Sequence, residues 1–229
     1  MKVYLDVPFE EKEEAKKLGA KWDDNTRQWY APNGEIELIN NKKWQINNNP
    51  LNLIGEDREY MGNELFVDLI PSTCWFTNVR YCVHPNEWDR LRQHIYSRVN
   101  YLCECCGVDS KETGQQLEAH ERWEYNIENN TQKLIRLVAL CHECHRVTHI
   151  GKAQLDGELK EAVKHLQKVR GFTIEDCDNH IQEAYKLWRI RNEREWELDL
   201  SLITLNDIKL KIIVNKNERV NIVNKNLNK

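Results

Sequence analysis

The 229-residue chain lacks the features that mark membrane-spanning and secreted proteins. No apolar run approaches the ~18–20 residues that a helix needs to cross a bilayer. The N-terminus, MKVYLDVPFEEKEEAKK, turns acidic at once and has no apolar core of the kind found in secretory signals. We therefore expect a globular protein of one large domain or two small ones, located in the reducing cytoplasm.

The chain also lacks an excess of positive charge. Its 33 Lys and Arg residues are outnumbered by 37 Asp and Glu residues, so the formal net charge is −4 at pH 7. This balance excludes a protein that coats nucleic acid through its overall charge, and binding to DNA would need a local basic patch. The sequence contains no internal repeat either.

Residues 1–46 are predicted to form a small βαββ domain. KVYLDV has the pattern of a strand, and PFEEKEEAKKLG that of a short helix with Gly19 at its C-terminal end. AKWDDNTRQWYAP follows as a hairpin, and its aromatic residues Trp22, Trp29 and Tyr30 are expected to form the core. A surface that stacks on nucleic-acid bases is the alternative role for these aromatics.

Residues 4–32, YLDVPFEEKEEAKKLGAKWDDNTRQWYAP, resemble a small uncharacterised bacterial domain. That domain accompanies primase-like and other DNA-processing proteins. The resemblance implies only that this protein is associated with DNA metabolism.

The next segments are predicted from composition and periodicity. Residues 47–63 are polar and rich in Asn and Gly, which predicts a linker before a main domain over 64–201. LFVDLI is predicted to be a strand, and a helix is expected from about His84. Residues 158–197 are expected to be helical in two pieces that break at Gly171, with Leu187 and Trp196 among the residues packed inward. Residues 202–229 are rich in Lys and Asn and are interpreted as a tail with short strands or partial disorder.

Eight cysteines, five of them in the clusters CECC and CHEC, favour a metal site over disulfides. Cys103 and Cys106 form one C-x-x-C pair, and Cys141 and Cys144 form a second. Two such pairs supply the four thiolates of a tetrahedral zinc site. A zinc ion with four thiolate ligands has no open position, so we predict a structural zinc and interpret Cys105 as a bystander.

Three histidines need a separate explanation. If a helix begins at Cys144, His145 and His149 lie one turn apart on one face. His120 lies between the cysteine pairs, in LEAHERWEY. The strands LEAH and LIRLVAL and this helix predict a β-hairpin crossed by a helix. The histidines are candidate ligands of a second metal ion, or else they pack around the zinc without binding a metal.

Residues 65–201 resemble a bacterial and phage subgroup of the HNH endonuclease family, on the motifs YLCECCG, LEAHERWEY and LVALCHECHRVTHIGKA. The resemblance implies an α+β protein with a zinc-stapled ββα-metal domain, flanking helices, and hydrolysis of DNA phosphodiester bonds with Mg²⁺ or a similar divalent cation. It assigns the catalytic cation to His120, His145 and His149, and the structural zinc to the two cysteine pairs.

The chain departs from the family pattern at two positions. The usual general base, a second His, is replaced by Glu121, and the usual Asn falls near Arg136 and is absent. A carboxylate is a weaker base than imidazole unless its pKa is raised. Glu121 is then a substitute base, a metal ligand, or a structural acid paired with Arg122, and in another register His120 is the base. Arg122, Arg136 and Arg146 are candidate contacts to DNA phosphates.

The predicted function is a metal-dependent HNH-type endonuclease that nicks or cuts DNA. Its expected cofactors are structural Zn²⁺ and a catalytic divalent cation such as Mg²⁺, its expected partner is DNA, and no membrane association is expected. The alternative is a catalytically degenerate, zinc-stabilised module that only binds DNA. A protein-interaction scaffold is a third interpretation, which the acidic net charge leaves open.

Overall fold

The computed structural model describes residues 2–5, 7, 11–24, 28–32, 38, 44 and 51–228. The chain divides into two compact units, Met1–Leu51 and Asn52–Lys229. Helices and two small three-stranded sheets make the protein a mixed α+β structure. Within the described ranges, no helix is both long and apolar enough to cross a membrane.

The first unit contains the βαββ order that the sequence predicts. Its elements are β1 (Val3–Leu5), α1 (Lys12–Lys17), β2 (Lys21–Asp23) and β3 (Gln28–Ala31). The strands form an antiparallel sheet in the order β1-β3-β2. Acidic residues in the first turn of α1 and lysines in its last turn match the helix dipole.

Gly19 ends α1, as predicted. Its φ angle of 97° lies in the left-handed region that glycine adopts most readily. The Gly19 N–H donates to the Lys16 carbonyl at 3.0 Å, and the Ala20 N–H donates to the Ala15 carbonyl at 2.9 Å. These two hydrogen bonds form a Schellman motif, which satisfies carbonyls at the helix end.

The core of the first unit differs from the predicted aromatic core. The buried residues are Leu5, Ala15, Ala20, Ala31, Leu38 and Trp44. Trp29 packs against this cluster, but Trp22 lies on the edge strand β2 and is 45% exposed. The two indole rings meet edge to face at 5.4 Å. The buried cluster is therefore mostly aliphatic, and its aromatic residue, Trp44, lies outside the predicted hairpin.

The second unit contains nine described helices and a long hairpin. The helices are α2 (Val79–Cys82), α3 (Pro85–Ser97), α4 (Ser110–Thr113), α5 (His142–Thr148), α6 (Ile150–Leu155), α7 (Leu159–Arg170), α8 (Ile174–Asn192), α9 (Ser201–Thr204) and α10 (Lys216–Leu227), with a short 3₁₀ turn at Ser72–Cys74. The strands are β4 (Glu118–Asn126), β5 (Thr131–Leu140) and β6 (Glu197–Asp199).

The hairpin of β4 and β5 leads directly into α5, in agreement with the predicted ββα order. β4 and β5 pair antiparallel, with a register shift between Arg122 and Trp123. β6 pairs parallel to the start of β5. The helix α5 begins at His142 and not at Cys144, because the Cys141 side chain caps its N-terminus.

The division of the region 158–197 into two helices also agrees with the prediction. α7 ends at Gly171, and α8 begins after Thr173, whose side chain forms a capping box with Asp176. Trp196 is buried as expected, but Leu187 is 53% exposed, because the long helix α8 packs through only part of its surface.

The predicted linker and strand are packed segments without regular structure. Residues 52–63 belong to the second unit, where the Glu56 carboxylate accepts a hydrogen bond from the Leu137 N–H at 2.9 Å; residues 47–50 lie outside the described ranges. LFVDLI forms no strand within the described part of the chain. Its backbone bonds elsewhere, since the Asp68 N–H donates to the Thr148 carbonyl at 3.1 Å.

The segment predicted as a tail contains a helix held by a buried arginine. Asn215 and Glu218 form a capping box at the start of α10. Arg219 is 1% exposed and donates hydrogen bonds to the Thr77 hydroxyl, the Trp196 carbonyl and the Gln132 side chain. These contacts join α10 to the loop before α2 and to β5.

Candidate metal centres

Four cysteines converge in the second unit. The sulphur atoms of Cys103, Cys106, Cys141 and Cys144 all lie within 4.8 Å of one another. Cys106 is half-buried and the other three are buried. Hydrogen bonding from the Cys103 thiol lowers the pKa of Cys106, which favours a thiolate there. Four sulphur atoms at this spacing can bind zinc in a tetrahedral site.

Local backbone structure brings each pair of cysteines together. In the first pair, the Cys103 N–H donates to the Val108 carbonyl at 3.0 Å and the Gly107 N–H donates back to the Cys103 carbonyl at 2.9 Å. In the second pair, the Cys141 sulphur accepts from the Cys144 N–H at 3.5 Å at the start of α5. Cys105 lies outside the cluster, as predicted for a bystander.

Two neighbours of the cysteine cluster were missed by sequence reasoning. His165, from α7, places its Nε2 atom 3.2 Å from the Cys144 sulphur. Glu104, between the first two cysteines, accepts hydrogen bonds from Ala139 N–H at 2.8 Å and from Arg136 at 2.7 Å. Nothing in the spacing of these residues points to the contacts, which depend on the packing of distant segments.

Three histidines converge in a second cluster. The nearest ring nitrogens of His120, His145 and His149 lie within 4.8 Å of one another. His120 lies in β4 opposite Val138, His145 lies in α5, and His149 ends that helix. The same short helix therefore contributes Cys144 to one cluster and two histidines to the other.

Burial favours the neutral form of two imidazoles of this cluster. It lowers the pKa of His149 to about 3 and the pKa of His120 well below its usual value. His120 is 2% exposed, and its Nε2 atom has no hydrogen-bond partner in the described part of the chain. A buried nitrogen without a partner is costly unless something binds it.

Glu118 positions His145 and was not predicted. Its carboxylate oxygens lie 3.0 Å from His145 Nδ1 and 3.1 Å from His142 Nδ1. The hydrogen bond with His145 lowers the pKa of Glu118 to about 2. A carboxylate on Nδ1 leaves Nε2 of His145 as the free nitrogen. The sequence contained a signal for this contact, because residues two apart in a strand, such as Glu118 and His120 in β4, point to the same face.

Glu121 is buried beside the histidines but faces α2. Its Oε1 atom accepts a hydrogen bond from the Val79 N–H at 3.1 Å, at the start of that helix. Burial raises the pKa of the Glu121 carboxyl. No ion pair links Glu121 to Arg122 among the described residues, so the interpretation as a structural acid paired with that arginine is not supported.

The three arginines that were expected to contact DNA contact other residues of the chain instead. Arg122 and Arg136 are 0% and 1% exposed, so neither presents a surface to DNA. The Arg122 guanidinium lies 4.0 Å from the centre of the Phe66 ring, and Arg136 pairs with Glu104 at 2.7 Å. Arg146 is held by Glu143 and by Glu158. The sequence positions of Arg122 and Arg136 gave no sign that these two side chains are buried.

The histidine cluster lies in a cleft of about 1120 Å³ in the second unit. Glu118 and Glu121 line the same cleft. Its walls are rich in aromatic residues, namely Trp75, Phe76, Trp88, Tyr96, Trp123, Tyr185 and Trp188. A cleft of this size has room for a ligand much larger than a metal ion.

The two clusters differ in the cation that their donor atoms fit. Four thiolates suit zinc in a closed site. Three imidazole nitrogens, one of them buried without a partner, fit a transition-metal ion with a position left open. Mg²⁺ prefers oxygen ligands, so this donor set fits Zn²⁺ or Ni²⁺ better than the expected Mg²⁺.

Comparisons with known proteins concern the N-terminal part of the chain. Residues 2–45 match the family model described as a domain of unknown function, DUF5710. Two proteins named DNA primase TraC, from Escherichia coli, are 58% identical over 33 residues and 55% identical over 31 residues. Each alignment covers 14% of this chain but only 3% and 2% of the respective relatives. No solved structure matches the chain.

These matches confirm the resemblance of the N-terminal residues to a domain found in primase-like proteins. The family-model match lies within the first unit and does not extend to the cysteines and histidines of the second.

Proposed function

We propose that the second unit is a metal-dependent endonuclease of the HNH type, which hydrolyses DNA phosphodiester bonds. The observation that carries the proposal is the cluster of His120, His145 and His149 in a large cleft, on a ββα element whose helix also contributes to a four-cysteine cluster. The name of the relatives, DNA primase, supports DNA as the partner.

Different residues of the chain would have different roles in such a reaction. Zinc held by the four cysteines would fix the start of α5 against the loop at Cys103, which sets where His145 and His149 lie. Glu118 orients the His145 ring through Nδ1. A divalent cation held by the three histidines would supply charge stabilisation at the phosphoryl and leaving oxygens.

Glu121 is the proposed proton acceptor for the attacking water. It lines the same cleft as the histidines and takes the family position of the general base. The water oxygen attacks phosphorus, and its proton passes to the Glu121 carboxylate. The bond from phosphorus to the leaving 3′ oxygen breaks, and that oxygen takes a proton from solvent water.

One observation favours the alternative, a DNA-binding module without catalysis. The Glu121 carboxylate is engaged by the Val79 N–H and is only 8% exposed, so it can serve as a structural acceptor for α2 instead. That module would cleave no DNA under any metal condition, and its affinity for DNA would fall as salt rises.

Substitution of Glu121 by Gln separates the two roles. Gln keeps an oxygen that can accept from Val79 N–H, so the unfolding temperature and zinc content should stay unchanged. Loss of the base should slow cleavage of a labelled duplex by about 10²–10⁴-fold. A cleavage rate equal to that of the unsubstituted protein would show that Glu121 is structural and that another group accepts the proton.

Substitution of Glu118 by Gln tests the positioning of His145. Loss of such an outer hydrogen-bond partner typically weakens metal affinity or activity by about 10–100-fold. We expect the Mn²⁺ concentration for half-maximal cleavage to rise by a factor in this range. Glu124→Gln is the matched control, because Glu124 lies exposed on the same strand. Equal metal dependence in the two variants would contradict the role of Glu118.

A further inference from the structure

Phe76 lines the cleft and has an unfavourable backbone conformation. Its side chain is 46% exposed, and its φ angle of 64° lies in a region that bulky residues rarely adopt. No ring or cation packs on the Phe76 ring among the residues that the structure describes. Nearly half of the surface of Phe76 is therefore available to a ligand in the cleft.

The residues on both sides of Phe76 are fixed. The Trp75 indole N–H donates to the Ile70 carbonyl at 3.0 Å. The buried Thr77 hydroxyl donates to the Cys74 carbonyl at 3.1 Å and accepts from Arg219 Nε at 2.8 Å. Strained residues persist where their surroundings over-determine them, and this is common at binding sites.

The cleft that Phe76 lines also contains an arginine without an ion-pair partner among the described residues. Three of the carboxylates that line the cleft form ion pairs, namely Asp68 with Arg191, Asp89 with Arg92, and Asp156 with Lys152. The Glu118 carboxylate lies within hydrogen-bond distance of His142 and His145. Glu121 accepts from the Val79 N–H. Arg80, exposed on α2, lines the cleft without a carboxylate partner in the described ranges. The cleft therefore offers an aromatic face and a free cation.

We propose that Phe76 stacks on an unpaired base of the bound nucleic-acid strand and that Arg80 contacts a neighbouring phosphate. This inference rests on the proposed nuclease function and names its substrate class. A base can stack on an aromatic side chain only when its face is free, so the substrate is single-stranded or locally unpaired DNA. Phosphate is the anion that a free arginine near a base would recognise.

The test compares removal of the ring with removal of the base. The probes are a fluorescein-labelled single-stranded oligonucleotide and a set in which each nucleotide in turn lacks its base. Binding is measured by anisotropy in full-length His145→Ala protein, which keeps the probes intact. Phe76→Asn should weaken binding about tenfold. The oligonucleotide that lacks one particular base should bind the parent protein more weakly by the same factor. The loss of affinity from the missing base and the loss from the substitution should not add.

A structural role for Phe76 predicts that Phe76→Asn unfolds at a lower temperature than the parent. The stacking role predicts otherwise. Asn tolerates a positive φ angle, so Phe76→Asn should unfold at the same temperature as the parent or higher while it binds more weakly. Met61→Asn is the matched control, because Met61 has a φ angle of 59°, is 40% exposed and lies outside the cleft. It should leave affinity unchanged.

Three outcomes would overturn the inference. Affinity that changes less than about twofold in Phe76→Asn would exclude stacking. Losses that add between the abasic probe and the substitution would place the base elsewhere. A parent protein that binds no single-stranded oligonucleotide would also overturn the inference, and the proposed function would then stand or fall separately on cleavage of the labelled duplex.

Discussion

His145→Ala is expected to slow DNA cleavage by about 10³-fold while the protein keeps its zinc and its fold. His145 is half-buried, and its ring lies 4.6 Å from His149 and 5.4 Å from His120, centre to centre. Loss of one of three nitrogen ligands would remove cation charge that is worth several kcal/mol at the transition state, and each 1.36 kcal/mol is a factor of ten in rate.

The matched control for this variant is His84→Ala. His84 is exposed at the start of α3 and caps the helix without a side-chain hydrogen bond. Its removal should leave both the rate and the metal content unchanged. Cleavage that survives in His145→Ala at the rate of the control would mean that the histidine cluster is not the catalytic centre.

Cys141→Ser is expected to abolish zinc binding and the cooperative unfolding of the second unit. Structural zinc in zinc-finger peptides contributes apparent free energies of about 10–16 kcal/mol, which is of the order of a whole domain's stability. Serine is itself a favoured helix N-cap, so the variant keeps the cap of α5 and removes chiefly the metal ligand. Zinc content and thermal unfolding measured by circular dichroism report the two effects.

Cys105→Ser is the control beside it. Cys105 lies next to Cys106 in the chain but outside the cluster, and its thiol lies 3.8 Å from the Glu64 carbonyl. This variant should bind about one zinc ion per chain and unfold like the unsubstituted protein. A Cys141→Ser protein that is as stable as Cys105→Ser would contradict a structural zinc.

The candidate metal ligands could be predicted because their chemistry depends on short spacings. Two C-x-x-C pairs together supply the four ligands of a zinc site, and His145 and His149 share a helix face whenever the segment is helical. The hairpin and the break between α7 and α8 follow from equally local signals, such as Gly171 and the capping box of Thr173.

Features that depend on distant packing could not be predicted in this way. The burial of Arg136 depends on its pairing with Glu104. The helix α10 is held in place by Arg219, whose hydrogen-bond partners lie in three separate segments. The exposure of Trp22 follows from its place on an edge strand, which the sequence pattern of one strand does not reveal. Such contacts exist only once the chain has folded.

The central claim is that the three-histidine cluster makes this protein a DNA-cleaving enzyme. The most direct test incubates supercoiled plasmid with the unsubstituted full-length protein and Mn²⁺, Ni²⁺, Zn²⁺ or Mg²⁺, with zinc content measured on the same sample. We predict nicked or linear plasmid with at least one of the transition-metal ions. Intact plasmid with every ion, from protein that retains zinc and binds DNA, would contradict the enzyme and leave the DNA-binding module.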